Sequence, residues 1–399
     1  MKSSELAKIF STLGEKTPEF AVARQGTRFP LPSRQDFQSA FDAIFDRRYF
    51  TNHGPLVQEL DEQVAQYLGV KHAVCVTNET VALMVALASL DLRGSIIVPA
   101  LARSSCMKAL EWVGLRPVVC DIERESFCLD PDQVESLIDE ETCAILASHT
   151  WGRVCKVEEL EQIADLNKLK LVFEAFDAFG SKSAGSFVGG FGSLEVLSFR
   201  PYSLVNTLEG GCVTTDDDYL ASRLRTARNF HATHSETHCP LRMNAKMTEA
   251  QAALGLLALQ SLRSTLDVAR AQWDMYCQEL DGIDGLSIVN ELPGTEHAFS
   301  NFIVEVDEER FGMNKDQLLS ILRAENVMCE LEVNYYECGA TSSNPSELGL
   351  FRSQGEKLYK ASIQLPLGCE MSKDDCRKVA RLIGLIQGSA QELKGHLTS

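Results

Sequence analysis

Residues 94–120 of this 399-residue chain read GSIIVPALARSSCMKALEWVGLRPVVC and indicate its fold class. Within them, 96–99 and 117–120 are short apolar runs bounded by turn or polar residues, a pattern typical of buried parallel strands. The residues between them, 104–113, have helical periodicity. A strand, a crossover helix and a second strand in this order predict a right-handed βαβ unit.

The same alternation of apolar runs and helical segments continues on both sides of this unit. Further strands are predicted at residues 73–76, 143–148, 171–173, 194–199 and 211–215. Crossover helices are predicted at residues 80–92, 131–138 and 157–165. Together these elements predict a doubly wound, mostly parallel α/β sheet.

The pattern changes in the last third of the chain. After a helical stretch at 248–280, two short apolar strands alternate with two further helices, and this predicts a smaller α+β domain. The strands are predicted at 302–306 and 363–365, and the helices at 315–325 and 373–387. We therefore predict an N-terminal segment (1–50), a large α/β domain (51–265) and a small C-terminal α+β domain (266–399).

Composition limits the classes of partner. The formal net charge of −18 disfavours nucleic acid and anionic membranes, because both are bound through basic surfaces. No uninterrupted apolar stretch approaches the roughly 20 residues that span a bilayer. The polar start, residues 1–5, lacks the apolar segment of a signal peptide. We expect a cytoplasmic protein without a membrane or nucleic-acid partner.

Cysteine and histidine spacing was considered for disulfides and metals. None of the thirteen cysteines forms a Cys-x-x-Cys pair, and Cys75 and Cys143 lie in apolar strand-like runs, so free buried thiols are expected. His231, His234 and His238, with a cysteine beside the last, are the one possible metal cluster. Their Thr/Ser/Glu surroundings favour a flexible polar loop, and we predict no metal site.

The segment between the strands at 194–199 and 211–215 carries the most specific motif. Residues 198–211 read SFRPYSLVNTLEGG and resemble S-F-H-x-T-K-x-x-x-T-x-E-G-G. That pattern is similar to the one with which sugar aminotransferases of the DegT/DnrJ/StrS family present the lysine that holds pyridoxal phosphate (PLP). Ser203 stands at the lysine position. A serine hydroxyl can neither form the imine that holds PLP nor act as the amine base.

The resemblance covers nearly the whole chain. Its motifs follow in order at residues 50–55, 78–83, 149–153, 209–211 and 244–249. The family implies a PLP fold-type I architecture and a homodimer with active sites at the subunit interface. It also implies transfer of an amino group to a nucleotide-linked keto-sugar.

The half of the cofactor site that would hold the phosphate matches the family. Thr80 matches the phosphate-binding threonine at a strand-to-helix turn, where backbone N–H groups suit an anion. Ser198 matches the serine that contacts the phosphate. Asn244 matches the asparagine that reaches the neighbouring subunit's phosphate.

The half that would hold the ring departs from the family. Glu174 stands where an aspartate pairs with the ring nitrogen, and its extra methylene moves the charge by about 1 Å. Arg103 replaces the stacking aromatic residue, and Arg200 replaces a histidine. Glu79 replaces the glycine beside Thr80, and its carboxylate would repel a phosphate unless the side chain turns outward.

Other interpretations of these substitutions stay open. The change at Glu79 taken alone is consistent with drift, and Arg103 and Arg200 could be solvated residues at a pocket mouth. If the chain were an active PLP enzyme, Lys182 or Lys246 would have to take the place of the missing lysine. The run beginning at Asp177, DAFGSK, resembles that of related sugar 3-dehydratases, which use a histidine at the lysine position; an unassisted serine cannot act as that base.

We therefore expect a degenerate nucleotide-sugar aminotransferase homologue. PLP would not be bound covalently, and non-covalent PLP or its amine form PMP is not favoured. Two cations, Arg103 and Arg200, facing the helix start at Thr80 would attract a small anion or sugar nucleotide. The alternatives are a non-catalytic partner in a heterodimer with a lysine-bearing paralogue, and an active PLP- or PMP-dependent aminotransferase or dehydratase.

Overall fold

The computed structural model describes residues 18–25, 29, 31–201, 203–229, 239, 241–289, 292–329, 334–335 and 353–397. In chain order the helices are α1 Arg34–Arg47, α2 Pro55–Leu68, α3 Glu79–Leu90, α4 Ser104–Val113, α5 Pro131–Leu137, α6 Val157–Asn167, α7 Asp218–Ala227, α8 Glu249–Leu280, α9 Glu308–Phe311, α10 Lys315–Ala324, α11 Gln354–Ala361, α12 Lys373–Gly388 and α13 Ala390–Leu397. A 3₁₀ turn covers Thr150–Gly152.

The strands are β1 His72–Val76, β2 Ser95–Pro99, β3 Leu101–Ala102, β4 Arg116–Cys120, β5 Thr142–Ser148, β6 Lys170–Ala175, β7 Lys182–Ser183, β8 Ser186–Phe187, β9 Leu194–Ser198, β10 Gly211–Thr215, β11 Leu286–Ile288, β12 Thr295–Glu296, β13 Phe302–Val306, β14 Asn334–Tyr335 and β15 Ser362–Leu365. Seven of them form one sheet in the order β1-β10-β9-β6-β5-β2-β4. Neighbours from β9 to β4 pair in parallel. β10 is antiparallel to both β9 and β1, so β1 runs in the same direction as β9.

The large sheet is covered on both faces, as the predicted buried strands require. Successive residues of β1 belong to different hydrophobic cores: Ala73 and Cys75 pack on one side, Val74 and Val76 on the other. Each strand therefore has apolar side chains on both of its faces, because neighbouring side chains point to opposite sides of a sheet. The prediction of a doubly wound, mostly parallel α/β sheet is confirmed.

The helix α8 connects the large sheet to the small antiparallel sheet. It begins at a capping box in which Thr248 accepts from the Gln251 N–H and the Gln251 side chain accepts in return. Its first half packs into the core of the large sheet, and its last turns pack on the three-stranded antiparallel sheet β11-β13-β15 with α10 and α12. The predicted domain boundary at 265/266 falls inside this helix and stays a prediction.

The cysteines are mostly inside the molecule. Nine of the twelve cysteines that the structure describes are buried. This agrees with the expectation of mostly buried thiols for those twelve. Among the described residues, no helix is long and apolar enough to cross a membrane.

Candidate functional site

The candidate site lies at the carboxyl edge of the large sheet. β1, β6 and β9 run in the same direction, so their carboxyl ends meet at this edge, where α/β sheets commonly bind ligands. Glu79 begins α3, three residues after β1 ends. Asp177 follows β6, and Ser198 is the last residue of β9. Strands that are far apart in the sequence thus place these side chains close together at the carboxyl edge of the sheet.

Two glycines let the chain pass close to the start of α3. A Cβ atom on Gly211 would lie 2.8 Å from the backbone oxygen of Asn78, and one on Gly210 would lie 2.1 Å from Thr207 Oγ1. A side chain at either position would force its neighbours to move: the Asn78 backbone at Gly211 and the Thr207 side chain at Gly210. The Glu-Gly-Gly turn of the motif therefore holds the start of β10 against the helix that carries Glu79.

Five charged or polar side chains form a buried network here, which we call the pocket cluster: Glu79, Arg103, Asp177, Ser198 and Arg200. The Asp177 carboxylate lies between two guanidinium groups. Its Oδ1 accepts from Arg200 Nη2 at 2.8 Å, and its Oδ2 accepts from Arg103 Nη2. The guanidiniums lower the pKa of Asp177 below its usual value although burial alone would raise it. Asp177 is therefore the anionic centre of the cluster.

Glu79 forms the second anionic centre. Its Oε2 accepts from Ser198 Oγ at 2.5 Å and from Arg200 Nη1 at 3.3 Å. The side chain thus turns inward, toward the cluster. An outward orientation would leave a phosphate site unobstructed. Glu79 turns inward because the Ser198 hydroxyl and the Arg200 guanidinium both donate to its carboxylate.

The two arginines are not solvated residues at a pocket mouth. The Arg103 side chain is 9% exposed and that of Arg200 is 13% exposed. A guanidinium retained at such depth requires carboxylate partners, and both arginines have them. The interpretation of the pair as ordinary surface residues is therefore wrong. From the sequence, both arginines are expected to be cations available to an external anion. In the structure their guanidinium groups already contact the carboxylates of Asp177 and Glu79.

Glu174 lies beside the pocket cluster on β6. Its pKa is raised to about 7, chiefly by burial and also by the nearby Asp177, while Arg103 opposes the rise. Its Oε1 accepts a hydrogen bond from the Phe176 N–H at 2.8 Å. A carboxyl group that is half-protonated near neutral pH is poorly suited to hold a fixed charge, and well suited to exchange a proton.

Ser203 lies in the loop after β9, close to the cluster in the chain. Its N–H donates to the Arg200 carbonyl at 3.0 Å, so the loop turns tightly there. The side chain is buried, and its Oγ has no hydrogen-bond partner among the described residues. Within the described part of the chain, no base is therefore hydrogen-bonded to this oxygen to activate it as a nucleophile.

The two lysines considered as replacements are engaged elsewhere. Lys182 Nζ contacts Glu296 Oε2 at 2.9 Å and lies over the Phe187 ring, within the small sheet β12-β7-β8. Lys246 Nζ donates to Asn229 Oδ1 at 3.3 Å. Neither amine has a contact with a residue of the pocket cluster among the described hydrogen bonds and ion pairs.

The remaining predicted site residues lie around the cluster. Thr80 is the second residue of α3 and half-buried, next to Glu79. Asn244 is exposed, and the residue after it joins the end of β1 through a hydrogen bond from the Thr77 N–H to the Ala245 carbonyl at 3.0 Å. Asn244 is thus near the start of α3 but outside the pocket cluster.

The three histidines considered as a metal cluster, and not favoured as one, fall in an undescribed part of the chain. His231, His234 and His238 lie outside the described residues. Within the part of the chain that the structure describes, no group of three or more histidine, cysteine, aspartate or glutamate side chains could hold a metal ion.

Sequence reasoning missed the role of Asp177 as a bridge. From the sequence, Asp177 is a catalytic candidate in a run that resembles dehydratases, while the two arginines are expected to be available cations. A signal was present, because arginines that are buried at one edge of a sheet need a carboxylate beside them. Asp177, which follows β6 at that edge, provides it.

This fold and the residues at its carboxyl edge define the class of PLP-dependent sugar aminotransferases. The model of the DegT/DnrJ/EryC1/StrS aminotransferase family matches residues 33–383, and the chain belongs to that family. A dTDP-4-amino-4,6-dideoxy-D-glucose transaminase of Escherichia coli is 29% identical over 90% of this chain and 97% of that protein. One of the same name from Shigella dysenteriae is 31% identical over 74% and 81%.

A solved structure agrees with these sequence relatives. DesI, crystallised in the presence of its TDP-sugar product, superposes with a TM-score of 0.91 at 30% identity. The superposition covers 98% of this chain and 100% of the DesI chain. PseC of Helicobacter pylori, an aminotransferase of pseudoaminic acid biosynthesis, superposes with a TM-score of 0.82 over 92% of this chain and 99% of that chain. At 21% identity, that second likeness concerns the fold alone.

Proposed function

We propose that this chain is a nucleotide-sugar aminotransferase homologue that has lost lysine-dependent transamination and still binds a nucleotide sugar. The observation that carries the proposal is Ser203 at the position of the PLP lysine. A hydroxyl cannot condense with an aldehyde to an imine, and this one has no base in contact with it. The amine that transamination requires is therefore missing from the chain at this place.

We infer that the residues around Ser203 do not fit PLP either, although the family is PLP-dependent. A protonated ring nitrogen needs a carboxylate at a fixed distance, and Glu174, one methylene longer than the aspartate of the family pattern, places its charge about 1 Å away from that position. Ser198 already donates to Glu79 rather than to a phosphate. No reaction step is assigned to the cofactor in this chain.

The class of ligand is proposed from the relatives. Two sequence relatives bear the name of a transaminase for a dTDP-linked amino sugar, and DesI was crystallised with a TDP-sugar product. We propose a dTDP-linked sugar as the ligand, bound next to the pocket cluster where two subunits meet. The exposure of Asn244 on a single protomer favours such a shared site, because an asparagine at that position can reach across the interface.

A second assignment is a non-catalytic subunit of a heterodimer. The same exposed Asn244 would then complete the active site of a lysine-bearing relative. Light scattering separates the two assemblies. A stable homodimer at micromolar concentration supports the first, and a monomer that dimerises only with such a relative supports the second.

The decisive experiment tests for an imine. The purified protein is mixed with PLP, examined for the visible imine band, reduced with borohydride and mapped by peptide mass spectrometry. We expect no band and no stoichiometric pyridoxyl adduct. Lys108, whose side chain is 71% exposed, serves as the benchmark for non-specific labelling.

Lys182→Arg and Lys246→Arg are the matched controls, since each removes one amine and keeps its charge. A stoichiometric adduct at Lys182 or Lys246 that disappears in the corresponding variant would establish an active PLP enzyme and overturn the proposal. A dTDP-sugar should raise the melting temperature of the wild-type protein in a saturable way. If the melting temperature does not rise, the proposal of a dTDP-sugar ligand is refuted.

A further inference from the structure

The start of α3 is built to receive an anion. The helix begins at Glu79, and its N-cap residue Asn78 accepts from the Val81 N–H at 2.9 Å. The first turn of a 12-residue helix directs backbone N–H groups and the positive end of the helix dipole toward the carboxyl edge of the sheet. A helix start alone defines no site, but here it coincides with two side-chain donors.

Those two donors converge on one carboxylate oxygen. Ser198 Oγ and Arg200 Nη1 both donate to Glu79 Oε2, at 2.5 and 3.3 Å. Ser198 Oγ also accepts from the Arg200 N–H at 3.3 Å, which orients the hydroxyl toward Glu79. A hydroxyl and a guanidinium on one oxygen are the contacts that proteins offer to a phosphate oxygen. In this chain the oxygen belongs to its own glutamate.

The charges of the pocket cluster are balanced internally. Two guanidinium groups, of Arg103 and Arg200, face two carboxylates, of Asp177 and Glu79. A phosphate entering between them would add negative charge to a neutral, buried group of ions and would have to displace a carboxylate from its donors. The balance therefore works against the entry of a free anion, despite the two arginines.

We propose that Glu79 is a permanent internal substitute for a bound phosphate group. Its carboxylate takes the hydrogen bonds of Ser198 and Arg200 and closes the start of α3 to phosphorylated ligands. The inference deepens the proposed function and rests on it in one respect, namely that no cofactor phosphate occupies this place in the working protein. A nucleotide sugar must then be recognised through contacts outside the Ser198–Arg200 pair.

The test is a gain of binding. Inorganic phosphate is titrated into wild type and Glu79→Ala in a chloride buffer of constant ionic strength, and binding is followed by calorimetry and by the melting temperature. We expect no saturable binding to the wild type. The variant should bind phosphate with an affinity at least about tenfold higher, because a hydroxyl and a guanidinium become available to it.

Three further variants make the result specific. Glu158→Ala removes an exposed carboxylate from the first turn of α6 and changes the net charge equally, so it should behave as wild type. Glu79→Ala/Arg200→Ala should lose the gained binding. Glu79→Gln keeps the shape of the side chain and removes its charge; it should also gain phosphate binding, and it serves if Glu79→Ala does not fold.

Two results would overturn the proposal. One is saturable phosphate binding to wild type that Arg200→Ala abolishes, since the site would then be open in the presence of Glu79. The other is the absence of any gain in both folded Glu79 variants. No aldehyde is present in the phosphate titrations, so their outcome does not depend on imine formation. A pyridoxyl adduct would refute the proposed function alone, and these two results would refute the role of Glu79 alone.

Discussion

Two buried ionic groups of this chain are used in different ways. His149 and Glu195 form a pair with fully buried side chains, His149 Nε2 lying 3.1 Å from Glu195 Oε1. Both members are also bound to backbone: Glu195 accepts from the N–H groups of Gly189 and Phe191, and His149 Nδ1 accepts from the Cys155 N–H at 3.0 Å. Because Nδ1 accepts, the proton is on Nε2 and is donated to Glu195.

The pocket cluster differs in what its carboxylates bind. Asp177 and Glu79 accept from arginine and serine side chains, whose positions can change without unfolding a loop. A carboxylate that holds backbone N–H groups stabilises one loop conformation, whereas a carboxylate that holds side-chain donors leaves those donors available to a ligand once the carboxylate is removed. The difference separates structural carboxylates from those that belong to a site, and three variants test it.

The largest effect is expected from the backbone-bound pair. Glu195→Ala leaves one buried and one partly buried N–H group, and the His149 Nε2–H, without an acceptor. It should lower the free energy of unfolding by about 3–5 kcal/mol. Chemical denaturation monitored by circular dichroism measures it. Glu161→Ala is the matched control, because Glu161 accepts from the Gly192 N–H of the same loop at 2.9 Å but is partly exposed.

The control variant should lose less than about 1 kcal/mol, since solvent can replace a partly exposed acceptor. Equal losses in Glu195→Ala and Glu161→Ala would show that burial does not decide the contribution. A loss in Glu195→Ala that added sulfate restores would remove the distinction between the two groups, because it would make this pair exchangeable as well.

The accuracy of the sequence-based prediction follows the same distinction. β10, β13 and α4 were predicted at their observed bounds, and the other predicted strands of the large sheet within two residues, because buried strands and amphipathic helices are encoded by local periodicity. The two-residue strands β3, β7, β8, β12 and β14 were not predicted, since they are too short to have a period.

The candidate site was predictable residue by residue but not as a network. The family resemblance located Ser203, Glu174 and both arginines, because its motifs lie within or shortly after strands that the periodicity defines. The direction of the Glu79 side chain was not available from the sequence. It depends on Ser198 and Arg200, more than a hundred residues away along the chain, and on the charge balance of the assembled group.

The second test concerns Glu174, which stands at the margin of the pocket cluster. Its pKa is raised from 4.5 to about 7 by burial, so between these values the folded chain holds a proton that the unfolded chain releases. The free energy of unfolding therefore falls as the pH rises through this window, by up to about 3 kcal/mol. Above pH 7 the full cost of the buried charge remains.

Glu174→Gln isolates this contribution, because the amide cannot ionise. Melting temperatures of wild type and variant are measured from pH 4.5 to pH 8, and their difference is plotted. The difference should grow in favour of the variant up to about pH 7 and then level off. His297, whose pKa is lowered by burial to about 4, titrates in both proteins and cancels in the difference. Parallel curves would show that Glu174 is not the buried titrating group.

The smallest loss is expected from Asp177→Ala, although it removes the partner of two buried guanidiniums. Arg200 keeps its contact with Glu79, and Arg103 keeps the nearby carboxyl of Glu174, so we expect about 2 kcal/mol rather than the full cost of an isolated buried charge. The variant leaves a cavity the size of a carboxylate between two cations. Sulfate or phosphate should enter it and restore stability in a saturable way.

The comparison has to separate this rescue from the general stabilisation that sulfate gives to any folded protein. Wild type, Asp177→Ala and Glu195→Ala are therefore melted in sulfate and in chloride at equal ionic strength. Sulfate should raise all three melting temperatures gradually, and should add a saturable component only in Asp177→Ala, because only there do two guanidinium groups face the opening. The same saturable component in Glu195→Ala, or its absence in Asp177→Ala, would mean that the pocket cluster is a structural group like the His149–Glu195 pair and not the remnant of a ligand site.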